Sequence, residues 1–170
     1  RLRAALKSDE RNTAILFELA LMHELWGKDE EALKWLESTV AASGPQETRA
    51  NFALVAWHLR KGQPARAVEA AKLLLSKLPD DVDALQAYAG AQLANGDAAG
   101  AKTTLTNAAR RAAFDAPRLL AVARQQVAAQ DLKGAAYSVE KALSGSPTDP
   151  EAIGMMSSIE LAQGNLAQAE

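Results

Sequence analysis

The two histidines have the most versatile side chains in this sequence, because an imidazole can move a proton or bind a metal near neutral pH. His23 and His58 occupy the same place in two successive apolar segments. Neither has a carboxylate at the spacing that would complete a metal site or a catalytic pair. The chain has no cysteine, which excludes thiolate catalysis and cysteine-based zinc sites. We therefore expect both histidines to be packing residues, and we expect no metal, no cofactor and no catalytic residue.

Adjacent like charges offer a second kind of candidate chemistry. Glu30-Glu31 and Asp80-Asp81 fall in turns and predicted helix starts, and Arg110-Arg111 falls at a predicted helix end. Carboxylates at an N-terminus and guanidinium groups at a C-terminus complement the helix dipole, so solvated capping explains these pairs. A phosphate site at the arginines is the alternative. No hydrolase, zincin, phosphate-loop or dinucleotide motif occurs, and the glycines are interpreted as scattered turn residues.

Composition excludes several classes of function. The 170 residues include 19 basic and 21 acidic side chains, a net charge of −2, whereas nucleic-acid and anionic-membrane binders carry a basic excess. No apolar run approaches the roughly 20 residues that a membrane span requires. We therefore expect no nucleic-acid partner and no direct membrane insertion.

An internal repeat sets the elements that would position any site. Turns are centred at positions 27, 62, 96, 130 and 164, a nearly constant step along the chain. Apolar residues recur at three- and four-residue spacing on both sides of each turn, and no segment alternates with a period of two. An alanine follows each centre at the same short distance: Ala32, Ala67, Ala101, Ala135 and Ala169. Each unit is therefore predicted to be a pair of helices joined by a turn.

The predicted helices lie at 14–26, 30–42, 48–61, 64–77, 82–95, 98–112, 117–129, 132–144 and 150–163. Proline-containing breakers separate the units, such as Gly44-Pro45. Asp149 before Pro150 is typical of an N-cap followed by proline at the first helical position, and Pro64 is predicted to open another helix.

A helix–turn–helix repeat with a period of about 34 residues resembles the tetratricopeptide repeat (TPR). Repeats fall at about 13–47, 48–81, 82–115, 116–149 and 150–170, the last incomplete, and 1–12 is similar to the tail of a preceding repeat. The family's aromatic positions are mostly Leu, Ala, His or Gln here, which is unlike any named subfamily. The resemblance implies an all-α, right-handed superhelical solenoid of antiparallel helix pairs: a single array of about 4.5 repeats plus a partial leading helix. We expect it to be an excerpt of a longer protein.

Small side chains are expected wherever two helices cross closely, because anything larger than a methyl group would force the helices apart. The predicted structural small positions are Ala20, Ala32, Ala67, Ala89, Ala101, Ala123, Ala135 and Ala169.

In TPR arrays the first helix of each pair lines a concave surface, and the resemblance places a partner-binding groove on the matching positions. The predicted groove residues are Phe17, Leu21, Glu24, Arg49, Phe52, Leu59, Arg60, Gly90, Leu93, Leu120 and Arg124, with Leu25, Val127, Gly154 and Leu161 at further matching positions. We expect Phe17 and Phe52 to anchor a partner and the three arginines to position it. One interpretation of Gly90 and Gly154 is that they admit a partner's backbone; the alternatives are that they pack tightly on a neighbouring helix or are tolerated without a structural role.

Two further expectations concern the ends of the array. Trp26, Trp35 and Trp57 are predicted to belong to the core of the first third, with a binding hot spot as the alternative. The last helix is expected to expose its apolar side, which another chain or residues 166–170 would cover. That side is Ile153, Met156 and Ile159.

The predicted function is a non-enzymatic scaffold that binds a protein or peptide partner of unknown identity in its concave groove. The alanine-rich sequence is similar to those of TPR lipoproteins of bacterial exopolysaccharide and PEP-CTERM protein-sorting systems. That likeness implies a periplasmic, membrane-tethered array; a cytoplasmic location is the alternative. Two other functions are possible alternatives: the substrate-positioning arm of a larger enzyme such as a glycosyltransferase, or a spacer that self-associates end to end through its incomplete C-terminal repeat.

Overall fold

The computed structural model describes residues 12–164, and within that range the regular structure is helical, with no strand. The helices are α1 (Thr13–Leu25), α2 (Asp29–Ala42), α3 (Arg49–Arg60), α4 (Pro64–Lys77), α5 (Val82–Ala94), α6 (Ala98–Arg111), α7 (Ala116–Ala128), α8 (Leu132–Gly145) and α9 (Pro150–Gln163). The sequence-based boundaries of all these helices are confirmed almost to the residue. Residues 1–11 of the predicted leading tail and the C-terminal residues 165–170, which include Ala169, lie outside the described residues.

Aspartate caps begin most of the helices of the second half. Asp81, Asp97, Asp115 and Asp131 each accept a hydrogen bond from a backbone N–H in the first turn, at 2.8–3.1 Å. Asp149 accepts from Glu151 and Ala152, with Pro150 at the first helical position, as predicted. Each cap satisfies an N–H that would otherwise lack a partner at the helix start.

The chain divides into two compact units, one ending at Lys77 and the other beginning at Leu78. In the first unit α1 packs on α2 and α3 packs on α4. In the second unit α5 packs on α6, α7 packs on α8, and α9 packs against α8. None of the described helices is both long enough and apolar enough to cross a bilayer.

Alanines are buried between the helices of both units. Ala67 and Ala71 in the first unit and Ala101 and Ala135 in the second have no exposed surface. Ala20, Ala32, Ala89 and Ala123 are also buried. A larger side chain at any of these positions would have to displace a neighbouring helix.

The turn at the centre of each repeat contains one residue with a left-handed backbone. Gly27, Gly62, Gly96 and Gly164 have φ of +68°, +64°, +81° and +82°. The fourth repeat has Gln130 at this place, with φ of +57°. Glycine adopts this conformation freely, whereas a side chain strains it, so the fourth turn is the weakest of these turns.

Replacing Gln130 by glycine is therefore expected to stabilise the protein by about 0.5–1 kcal/mol. Glycine relieves the strain of the left-handed backbone in the folded state. It also gives the unfolded chain more conformational entropy, which reduces the net gain in stability. Urea denaturation followed by circular dichroism measures the change. Glu140→Gly, in the exposed interior of α8, serves as the control and should lose about 1 kcal/mol. A loss of stability in Gln130→Gly would contradict the assignment.

Candidate partner-binding face

The first helices of the first unit, α1 and α3, flank a cavity of about 260 Å³. Its walls are mainly apolar, from Ala20, Leu21, Leu36, Ala53 and Trp57. Glu24 and Arg60 also line the cavity and bridge α1 and α3 through an ion pair of 2.5 Å. Leu21, Glu24 and Arg60 were all predicted groove residues, and the structure brings them together.

The ring of Phe17 is partly covered by the guanidinium group of Arg49. The guanidinium carbon of Arg49 is 4.3 Å from the centroid of the Phe17 ring, and Phe17 is only 7% exposed. Phe17 also lines a cavity with Arg49, so its role as a binding anchor stays a prediction. Because little of the ring is exposed, truncation of Phe17 would affect folding as well as binding. The cavity beside Phe17 and Arg49 is more polar, has a volume of about 420 Å³ and is also lined by Thr13 and Thr48. Phe52 and Leu59 are half-buried.

In the second unit, α7 and α9 flank a cavity of about 460 Å³. Val127, Leu132, Met155 and Ala162 provide its apolar walls. Arg124 and Glu151 form an ion pair that connects α7 to α9 beside it. Gly154 lines the same cavity, and a Cβ atom there would meet none of the described residues within 4 Å. Tight helix packing therefore does not account for Gly154, and access for a partner stays a prediction.

Leu120, another predicted groove residue, is buried in α7. Gly90 and Leu93 on α5 are partly exposed. Leu120 thus packs inside the second unit, because the side of α7 that it shares with Ala116 and Ala123 faces neighbouring helices.

The predicted positioning arginines already have partners within the chain. Arg60 pairs with Glu24, Arg124 pairs with Glu151, and Arg49 lies on Phe17. A fourth arginine, Arg118, approaches Asp83 to 3.6 Å and so connects α7 to α5. Within each unit these pairs balance charges on neighbouring first helices.

Large apolar side chains are exposed at three predicted groove positions. Leu25 is 85% exposed, Val127 40% and Leu161 53%. On the last helix Ile153 is exposed, Met156 is half-buried and Ile159 is 2% exposed. Residues 166–170, which were expected to shield this side, lie outside the described residues, so that expectation stays a prediction. Ile159 lies two turns after the buried Ala152, so both share the side of α9 that packs on α8.

Both histidines are buried and hydrogen-bonded within their helix pairs. His23 Nδ1 lies 2.7 Å from the Leu19 carbonyl oxygen, and His58 Nδ1 lies 2.9 Å from Gln63 Oε1. Among residues 12–164 no three His, Asp or Glu side chains converge as metal ligands would.

The tryptophans divide between core and surface. Trp57 is buried, Trp35 is half-buried, and Trp26 is exposed beside Lys28. The prediction of a common core is therefore wrong for Trp26, which follows the end of α1 and extends beyond the contact between α1 and α2.

Two buried polar networks, one repeat apart, were missed at the sequence level. In one, Thr104 donates to Gln92 Oε1 at 2.7 Å, and Gln92 Nε2 donates to the capping Asp97 at 3.1 Å. In the other, Ser138 donates to Gln126 Oε1 at 2.7 Å. The signal was present, because Gln, Asp, Gly and a hydroxyl residue recur with the same spacing in the next repeat.

Gly100 and Gly134 lie inside α6 and α8, next to these networks. The interpretation of all the glycines as turn residues is therefore wrong for this pair. A Cβ atom on Gly134 would lie 2.9 Å from Gln126 Nε2, and one on Gly100 would overlap Asp97 and Gln92. Glycine is needed here because the capping aspartate and the buried glutamine fill the space of a side chain.

Comparison with known proteins identifies the fold. No protein-family model matches the chain, and no curated protein sequence matches it. The structure of PilW, a type IV pilus biogenesis factor, matches with a TM-score of 0.70 and 19% identity, covering 99% of this chain and 78% of that one. YrrB, a TPR protein with an unusual peptide-binding site, matches with a TM-score of 0.67 and 12% identity, covering 99% and 86%. MamA from Desulfovibrio magneticus RS-1 matches with 0.67 and 15%, covering 92% and 88%. At these identities the likeness shows the fold alone, a TPR-like helical solenoid.

Proposed function

We propose that this protein is an interaction scaffold that binds a peptide segment of a partner protein on the first helices of its repeats. The observation that carries the proposal is the exposure of Leu25, Val127 and Leu161, which the TPR resemblance assigns to the binding surface. Isolated exposed apolar residues are common on soluble proteins. Here Val127 borders a cavity with mainly apolar walls, which an apolar side chain of a partner can fill.

The similarity to YrrB supports peptide binding in particular, since that TPR protein is described by its peptide-binding site. A bacterial exopolysaccharide or protein-sorting system, with the array tethered in the periplasm, stays a prediction from the sequence style. An enzyme arm and a self-associating spacer stay predictions in the same way.

Selection of random 12-residue peptides against the full chain tests the proposal even though the natural partner is unidentified. Val127→Asp is expected to weaken the binding of selected peptides about ten-fold or more, because it places a charge beside the apolar cavity. Fluorescence anisotropy measures the affinity, and circular dichroism checks that helix content is unchanged.

Tyr137→Asp is the matched control, because Tyr137 is similarly exposed but lies on α8, the second helix of its pair. It should leave the affinity unchanged. Equal losses in both variants, or a failure to select any peptide, would refute the proposed binding surface. Light scattering of the same preparations would reveal the concentration-dependent assembly that a spacer requires.

A further inference from the structure

Gln125 connects α7 to α5 through an amide that is only half satisfied. Its Nε2 atom donates to the Gln86 carbonyl oxygen at 3.4 Å, which is long for a hydrogen bond. Its Oε1 atom is buried and has no hydrogen-bond partner among the described residues. A buried acceptor without a donor is costly, so native structures usually supply one.

Gly90 leaves open space beside this amide. A Cβ atom on Gly90 would meet, of the residues that the structure describes, only Gln125 Nε2, at an ordinary contact distance of 3.8 Å. Alanine would therefore fit, and it would favour the helix more than glycine does. Neither packing nor a positive φ explains the glycine. Helix packing thus does not require glycine at position 90, and this glycine lies next to Gln125, whose Oε1 atom has no donor among the described residues.

The charged side chains around this place are paired with one another. Asp83 approaches Arg118 and Arg124 pairs with Glu151, so these groups offer a partner little net charge. The same two helices also carry Leu93, which is half-buried, and Val127, which is exposed. A ligand for this surface therefore needs an uncharged hydrogen-bond donor and apolar side chains.

We propose that Gln125 and Gly90 bind the main chain of an extended, uncharged peptide segment. The missing side chain at Gly90 lets the peptide backbone approach, and a small rotation of the Gln125 amide turns Oε1 toward a peptide N–H. A helical ligand has no such N–H to offer in its interior, because its own carbonyl oxygens accept them. An extended segment keeps its N–H groups free. The inference rests on the proposed function and specifies the form of its ligand.

The test uses the selected 12-residue peptides and the full chain. Gln125→Leu removes the acceptor and is expected to weaken binding about ten-fold. Gln125→Glu keeps an acceptor but loses the donor to the Gln86 carbonyl oxygen, so it should recover only part of the affinity that Gln125→Leu loses. Gly90→Val fills the open space and should also weaken binding about ten-fold, whereas Ala94→Val, at an exposed position of the same helix, should not.

Chemical change of the peptide makes the test independent of variant folding. N-methylation of successive peptide amides should identify one N–H whose loss weakens binding to the unmodified protein about ten-fold. The same N-methyl group should have no further effect on Gln125→Leu. Affinity should change less than about three-fold between roughly 50 and 500 mM NaCl, because few ion pairs would form.

Each failure has a separate meaning. Selected peptides that respond to Val127→Asp but not to Gln125→Leu or N-methylation would overturn this inference and leave the proposed function standing. Peptides that bind as helices, shown by circular dichroism of the complex, would also overturn it. If no peptide binds, the proposed function fails and this inference fails with it.

Discussion

Gly100→Ala is expected to destabilise the second unit by about 2–3 kcal/mol, although alanine normally favours a helix over glycine. The added methyl group would overlap the Asp97 carboxylate and the Gln92 amide. Asp97 holds the Gly100 N–H at 2.8 Å, and Gln92 is held by Thr104, so neither side chain can move without losing a hydrogen bond. The result is a lost Gln92–Asp97 hydrogen bond and an unsatisfied buried amide, although the N-cap itself can persist, as Asp81 caps the N–H of Ala84. Urea denaturation of the full chain measures the loss.

A second glycine provides the control for this expectation. Gly154 is also helical, but a Cβ atom there would meet none of the described residues, so Gly154→Ala should stabilise the protein by about 1 kcal/mol. Combining Gly100→Ala with Asp97→Ala removes one of the two groups that the methyl group would overlap, the carboxylate. The cost of the alanine should then be smaller than in the parent chain. A gain of stability in Gly100→Ala alone would disprove the role assigned to the network.

Ala67→Leu is expected to destabilise the first unit by about 1–3 kcal/mol. Ala67 is fully buried on α4, and its methyl group occupies the position that small residues hold in the other described repeats. Three more carbon atoms would require α4 to move from its neighbours or adopt strained side-chain rotamers. Thermal and urea denaturation of the full chain both measure the effect.

Ala65→Leu is the matched substitution, because Ala65 lies on the same helix and is exposed. It should change stability by less than about 0.5 kcal/mol. If Leu is tolerated equally at both positions, close helix contact cannot be the reason for the repeated alanine.

The helices were predictable from sequence because their determinants are local. Apolar spacing, breakers such as Gly44-Pro45 and the Asp149-Pro150 start all lie within a few residues of the boundaries that they set. The buried alanines followed from periodicity, which repeats the same helix contact along the chain.

The binding surface was less predictable because exposure depends on side chains from other repeats. Phe17 matches a groove position, but Arg49, which belongs to the following repeat, covers its ring. Leu120 matches another, but the packing of α7 buries it. The arginines were expected to meet a partner, whereas Glu24 and Glu151 already pair with Arg60 and Arg124.

The buried networks were missed for a different reason. Gly100 and Gly134 look like turn residues when judged by residue type, because glycine is common in turns. Their requirement becomes visible only when Gln92 and Asp97, or Gln126 and Asp131, are placed around them. Gly100 and Gly134 are required because a side chain there would overlap other residues, and the sequence alone does not show which residues surround them.

The ion pairs between successive first helices make the order of the repeats matter. Glu24 meets Arg60 at the ends of their helices, whereas Asp83 meets Arg118 near the beginnings of theirs, and Arg124 meets Glu151 in yet another combination. A repeat transplanted to a different slot would bring its charge opposite a residue that does not complement it. Repeats of similar fold thus differ in where their charged residues lie, and changing their order would remove these ion pairs.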